Sequence, residues 1–250
     1  MGVVNITVPA PGVVRLEHAY VNCYLVAGDQ GVTVVDAGLP RMWRMLPRAL
    51  EAVDRGLGDV RAVVLTHAHF DHVGFARRAL RELAVDVWVH EADMRLAAHP
   101  YRYAHENPRA AYPLRHPRAV PILGAMLGAG AARVHGVRVA RRLVPGRRLD
   151  VPGRPRVVAS PGHTYGHVAL HLPDRDVLLS GDALVTLDPY TARTGPRIVA
   201  GAATADSALN LASLDALAAT GAGLVLPGHG EPWHGGVEEA VRLARAAGTA

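Results

Sequence analysis

The sequence predicts an α/β layered domain, on three observations. Short β-branched runs recur along the chain, each closed by a break rich in glycine, proline or aspartate. Stretches with apolar residues three and four positions apart alternate with them, as amphipathic helices require. Strands followed by helices occur twice, which gives the chain a two-half character without any short-period repeat. At 250 residues the chain can bury a sizeable core, and it reads as one domain over 1–250.

Residues 3–36 read as β-structure, with runs at 13–16, 22–26 and 32–35 separated by breaks such as Gly28-Asp29-Gln30-Gly31. Asp36-Ala37-Gly38-Leu39-Pro40 is a turn signal. Over 41–57, Met42, Met45, Leu46, Ala49, Leu50 and Val53 predict an amphipathic helix, in which Pro47 imposes a kink or a late start. A compact apolar strand at 61–65 is followed by a helix at 75–83, a strand at 86–89 and a short helix at 91–98. The rhythm breaks at 99–135, a proline-rich, aromatic and basic segment that ends in an apolar stretch at 119–132. A connection of that length is expected to be a lid or insert over a functional site. Strands return at 156–159, 168–172 and 177–179. A helix at 206–219 follows, capped by Thr204 or Asp206, then a strand at 224–226 and a last helix at 237–247.

The formal charge of +5 comes from arginine alone, because the chain contains no lysine. The arginines are spread rather than clustered with aromatics, so solvated faces are expected and a nucleic-acid partner is not. Cys23 is the single cysteine, which excludes a disulfide framework and a cysteine-based zinc site; it is expected to pack as a small buried hydrophobe. No run of about 18 apolar residues is present to span a membrane. Residues 1–16 carry no basic n-region or cleavage-site pattern, and Ile6 stands where a myristoylation signal needs Ser or Thr. A cytoplasmic protein without a membrane partner is the expectation.

The chemistry concentrates in Leu65-Thr66-His67-Ala68-His69-Phe70-Asp71-His72-Val73-Gly74, at the end of an apolar strand. Three later points share its form, a His or Asp just after a strand and flanked by glycine: Gly162-His163, Gly181-Asp182 and Gly228-His229. Glycine-flanked turns let backbone and side chain approach a common point closely. Imidazole and carboxylate without thiolate suit zinc, manganese or iron. Five histidines and two aspartates exceed the needs of one tetrahedral ion. They fit two ions about 3.5–4 Å apart with a bridging carboxylate and hydroxide. His67 and His69, two apart in extended chain, point the same way.

These residues resemble the metallo-β-lactamase-fold hydrolase superfamily. Its His-x-His-x-Asp-His signature stands here as His67-Ala68-His69-Phe70-Asp71-His72, followed in order by Gly162-His163-Thr164, Gly181-Asp182 and Gly228-His229-Gly230. The early Asn22-Cys23-Tyr24-Leu25-Val26 and Val35-Asp36-Ala37-Gly38 also match, so the similarity spans nearly the whole chain. The resemblance implies an α+β fold, a four-layer αββα sandwich with a dinuclear site where the two sheets meet. It implies one ion on His67, His69 and His163, a second on Asp71, His72 and His229, and Asp182 as the bridge.

The cofactor expected is thus two divalent ions, zinc first, with manganese or iron as alternatives. Asp71 is expected to act both as ligand and as an orienting or proton-accepting group. Asp36 is expected to hold a ligand histidine from behind, Thr66 to support the loop, and His167 to lie nearby without coordinating. Tyr165 and Tyr190 are within reach of the pocket but are read as packing residues.

The activity implied is hydrolysis of an ester-like bond in a small molecule such as a lactone or thioester. A mononuclear-iron persulfide or thiol dioxygenase using only His67, His163 and Asp182 is the alternative on the same fold. A metal-binding, non-enzymatic or nucleic-acid-associated protein ranks last, and a homodimer is compatible with the sequence. Substrate choice is expected to reside in the 99–135 insert and the 184–203 loop.

Overall fold

The computed structural model describes residues 5–139 and 141–249. The first seven strands are β1 (Asn5–Ala10), β2 (Val13–His18), β3 (Val21–Gly28), β4 (Gly31–Val35), β5 (Val60–Val64), β6 (Asp86–His90) and β7 (Arg141–Leu143). They lie side by side in chain order in one sheet. The first four form an antiparallel meander, and β4 to β7 run parallel. The second half supplies β8 (Arg156–Ala159), β9 (Val168–Leu172), β10 (Val177–Gly181), the hairpin β11 (Val185–Leu187) and β12 (Thr194–Arg197), and β13 (Leu224–Pro227). Its sheet has the order β13-β10-β9-β8, with β13 parallel to β10 and the others antiparallel. The helices are α1 (Leu46–Glu51), α2 (Phe70–Val73), α3 (Ala76–Glu82), α4 (Met94–Ala98), α5 (Tyr112–Arg115), α6 (Val120–Gly128), α7 (Ser207–Ala218) and α8 (Val237–Ala247).

Side chains that alternate along the strands build the layers, because successive residues of a strand face opposite sides of its sheet. Val63 and Leu65 join the core beneath the first helical layer, with Leu46, Leu50 and Ala79. Ala62 and Val64 turn the other way and meet Leu170, Val177, Leu179 and Leu226 between the sheets. Leu178 and Val225 face outward again, against Leu214 and Leu217 of α7 and Val241 and Ala244 of α8. The result is helix, sheet, sheet, helix: the four-layer αββα sandwich. Among the described residues no helix is long and apolar enough to cross a membrane.

Two local differences from the sequence expectation have physical causes. The helix expected over 41–57 is a 3-10 turn over Pro40–Met45 followed by α1. Pro47 has no N–H to donate and fits only the first turn of an α-helix, so α1 starts immediately before it. The short strands β7 and β12, Arg-Arg-Leu and Thr-Gly-Pro-Arg, carry no β-branched pattern and are formed by pairing with β6 and β11.

The 99–135 insert holds the short helices α5 and α6 and is anchored at its base. Glu106 accepts from the backbone N–H of Ser207 at 2.8 Å and from its hydroxyl at 2.5 Å. Its own N–H donates to Gly201 O at 2.9 Å. The hydroxyl of Tyr101 donates to Ala131 O and accepts from Val134 N–H, at 2.6 and 2.8 Å, and so closes the far end.

The layer assignment predicts unequal effects for two leucine truncations. Leu178→Ala, at a fully buried site, should lower unfolding stability by about 2–5 kcal/mol. Leu127→Ala, 61% exposed, should stay within about 0.5 kcal/mol of the parent in denaturant titrations. Equal losses would contradict the layering.

Candidate metal centre

Each strand that ends at the centre hands over one group of ligands. β5 runs into His67 and His69. The helical turn of α2 then brings Asp71 and His72 round to the same side, capped at its start by His69. His163 sits in the turn between β8 and β9, Asp182 follows β10, and His229 follows β13. All seven side chains are buried. The structure therefore brings these seven candidate ligands together, over separations of up to some 160 positions (67 to 229).

Their donor atoms fall into three overlapping groups that could hold cations: His67, His69 and His163; His67, His72 and Asp182; and Asp71, His72 and His229. Within each, the atoms lie within 4.8 Å of one another. Asp182 lies between the outer two groups. Its Oδ2 is 3.2 Å from His229 Nε2, 3.5 Å from His163 Nε2 and 3.9 Å from His67 Nε2, and its Oδ1 is 3.4 Å from His72 Nε2. Asp71 Oδ2 stands 3.3 Å from His229 Nε2, and His163 Nε2 faces His69 Nδ1 at 3.0 Å.

The hydrogen bonds behind the rings fix their tautomers. His229 Nδ1 donates to Tyr20 O at 2.7 Å, since a carbonyl can only accept. His72 Nδ1 donates to Asp36 Oδ2 at 3.0 Å. The hydroxyl of Thr66 donates to Asp36 Oδ2 and so accepts from His67 Nδ1, at 2.8 and 3.1 Å. The hydroxyl of Thr204 donates to Val199 O and so accepts from His163 Nδ1, at 2.7 and 3.3 Å. In the neutral form of all four rings the Nε2 lone pair faces the centre, the arrangement a metal-binding imidazole needs. Nε2 of His67, Nε2 of His72 and Oδ1 of Asp182 have no hydrogen-bond partner among the described residues. Buried polar atoms are rarely left so, and a cation would satisfy all three; the residues fit the ions.

Asp36 is the support expected of it, and it also accepts from the Thr66 N–H at 2.7 Å. His167 is near but committed elsewhere. Its Nε2 accepts from the N–H groups of Asp182 and Ala183 at 3.0 and 3.2 Å, and its Nδ1 bonds Ser160 Oγ at 2.8 Å. Its lone pair thus positions Asp182 and is not available to an ion. Sequence reasoning missed Thr204, considered only as a helix cap, and the Tyr20 carbonyl, because neither carries a local signal. It also missed Asp93. That buried carboxylate accepts from Ala68 N–H at 3.1 Å, Thr164 Oγ1 at 2.8 Å and Gly166 N–H at 3.0 Å, tying the His67 loop to the His163 loop. Gly228 is required by closeness: a Cβ there would collide with Asp182 Oδ1.

A tight recess of about 10 Å³ opens onto Asp71, Asp182, His69 and His229, walled by Tyr103, Tyr190 and Val199. Tyr190, read from sequence as a packing residue, lines this recess, and its hydroxyl meets that of Tyr103 at 3.2 Å. Tyr165 lies 56% exposed, outside it.

Burial, reinforced by neighbouring imidazoles, holds His67 and His69 well below the ordinary imidazole range, and burial pushes His163 down to about 4. Burial works against charge on His72 and His229 too, but facing carboxylates outweigh it. Asp182 and Asp36 hold His72 well above its ordinary range, and Asp182 with Asp71 pushes His229 up to about 10. Burial would raise Asp182, yet His229 and His72 hold it well below the carboxylate range.

The fold and this cluster define a class, the four-layer sandwiches built around a histidine–aspartate centre. A sequence model of the metallo-beta-lactamase superfamily matches residues 17–229, and the chain belongs to that superfamily. It is 30% identical over 190 residues to "Probable metallo-hydrolase YflN" of Bacillus subtilis (strain 168), covering 72% of this chain. The match spans 66% of that relative's length, just under two thirds. Among solved structures it is similar to a metallo-beta-lactamase family protein of Thermus thermophilus, with TM-score 0.65 and 29% identity over 98% of this chain and 78% of that one. It is also similar to TTHA1623, crystallised in a di-iron-bound form, with TM-score 0.59 and 27% identity over 88% of this chain and 92% of that one.

The charge states predict a proton balance for metal uptake. Without metal, His72 and His229 carry protons at neutral pH, and a cation must displace them. Affinity should therefore rise with pH up to the region of 10, where His229 titrates, and fall as acid is added. Titration calorimetry at pH 7 in buffers of different ionisation enthalpy should show proton release; heats independent of the buffer would contradict it.

Proposed function

We propose that this chain is a hydrolase that works through two divalent cations on an ester-like bond of a small molecule, such as a lactone or thioester. The observation that carries the reading is the position of Asp182, whose carboxylate stands between the two histidine-containing groups. In this reading His67, His69 and His163 hold one ion, Asp71, His72 and His229 the other, and Asp182 bridges them. When bound, such a pair polarises a carbonyl oxygen and lowers the pKa of water to about 7, which makes a nucleophile at neutral pH. Donors of imidazole and carboxylate without thiolate favour zinc and admit manganese or iron.

The remaining steps belong to the chain. Asp71 is both beside His229 and on the wall of the recess, so its carboxylate can orient the attacking water and accept its proton. Tyr103, Tyr190 and Val199 narrow the opening and limit bulk water. A mononuclear-iron dioxygenase would use only His67, His163 and Asp182. It would leave idle the second group, although Asp36 and Tyr20 are both committed to orienting its histidines.

The test is to change His163→Ala and Asp71→Ala and measure metal content and turnover together, on a panel of lactone, thioester, β-lactam and phosphodiester substrates. His163→Ala should lose metal and on the order of 10²-fold or more in turnover. Full activity with the metal lost would sink the proposal, and turnover of the phosphodiester alone would move the substrate class.

A further inference from the structure

The outward face of the 99–135 insert is not explained by the centre it borders. α6 is apolar all round. Ile122 and Met126 point into the core, while Val120, Gly124 and Leu127, spaced i, i+4 and i+7, form an exposed stripe. Val120 is 49% and Leu127 61% exposed, and Leu114 of neighbouring α5 is 87% exposed. A surface helix ordinarily turns a polar face to water, and large exposed aliphatic side chains close together in the chain point to an interaction surface.

The same insert carries unpaired positive charge. Arg102, Arg115, Arg118 and Arg133 are exposed, and none bridges to a carboxylate among the described residues. The only acid in 99–135 is Glu106, whose two oxygens both bond Ser207. No Asp or Glu occurs anywhere in 107–149. Arg133 also lines a groove of about 430 Å³ with Arg77 and Arg81 of α3, whose one acid, Glu82, is paired with Arg78.

We propose that the α5–α6 face docks on an anionic lipid bilayer. Leu114, Val120 and Leu127 enter the boundary between headgroups and acyl chains, and the arginines of the insert meet lipid phosphates. Charge decides against the other occupants. A second copy across a two-fold axis would set an acid-free arginine surface against itself. A nucleic acid would be met by stacking aromatics, whereas the stripe is aliphatic. The docking is peripheral, consistent with the absence of a membrane-crossing helix among the described residues. Tyr112, the buried first residue of α5, packs edge-on against Tyr190 of the recess, so the inner side of α5 adjoins the centre.

The experiment is flotation of the full metal-loaded chain with vesicles of phosphatidylcholine alone and of phosphatidylcholine mixed equally with phosphatidylglycerol. The chain should float only with the anionic vesicles, and less as salt is raised. Arg115→Glu and Arg118→Glu should each weaken binding about 5-fold or more, and Leu114→Ser and Leu127→Ser about 10-fold each. Melting temperature and metal content should not change, since all four side chains are exposed. Three outcomes would each overturn the proposal: equal flotation with both vesicles or with neither, binding that none of the substitutions moves, or a dimer in sedimentation that Leu127→Ser dissociates.

Discussion

Asp182 is 2% exposed and has imidazole nitrogens of His67, His72, His163 and His229 within 3.2–3.9 Å of its oxygens. A buried carboxylate costs several kcal/mol unless it is compensated. The surrounding rings do not compensate it while they are neutral, because the hydrogen bonds behind them then turn lone pairs, not protons, toward it. His163 Nε2, 3.0 Å from His69 Nδ1, accepts a hydrogen bond from that ring only while His69 carries its proton on Nδ1. In the metal-free chain the difficulty is relieved by protons on His72 and His229. Cations relieve it without them, and they also satisfy the atoms that lack a partner.

That requirement explains much of the architecture around the centre. The ligands come from both sheets, so the sheets must be locked to each other at this edge. Arg15, Asn22 and Tyr24 of the first sheet make the lock. Asn22 Nδ2 donates to Pro227 O and Gly230 O at 2.9 and 2.8 Å, and the Tyr24 hydroxyl donates to Pro227 O at 2.7 Å. Arg15, itself buried, holds Gly230 O and Glu231. These bonds clasp both ends of the turn that presents His229. The Asp93 carboxylate does the same between the His67 and His163 loops. Since the loops of both halves converge on the centre, a metal there also acts as a staple between them, and occupancy and stability are linked by mass action.

How much of this is legible in the sequence follows from range. The His67 to His72 cluster is local, and Gly162, Gly181 and Gly228 flag its distant partners because close approach leaves a mark in the chain itself. The layers are legible because alternation along β5, β10 and β13 records which sheet face is buried. What escapes is long-range and chemically ordinary. A threonine at 204 or a carbonyl at Tyr20 looks like any other until the fold sets it behind a ring. Tyr190 packs as the sequence suggests and lines the recess as well, and only tertiary structure shows that it does both. The insert's charge pattern is visible in the chain, but its meaning depends on which of its apolar residues are exposed.

In the proposed centre Asp182 serves two ions at once. Metal quantification of protein purified without added metal, alongside the Asp182→Asn variant, tests that most directly. The account predicts two divalent ions per chain in the parent and loss of both sites' occupancy in the variant, whose amide removes the shared charge. One ion per chain in the parent, or full occupancy retained in the variant, would contradict it.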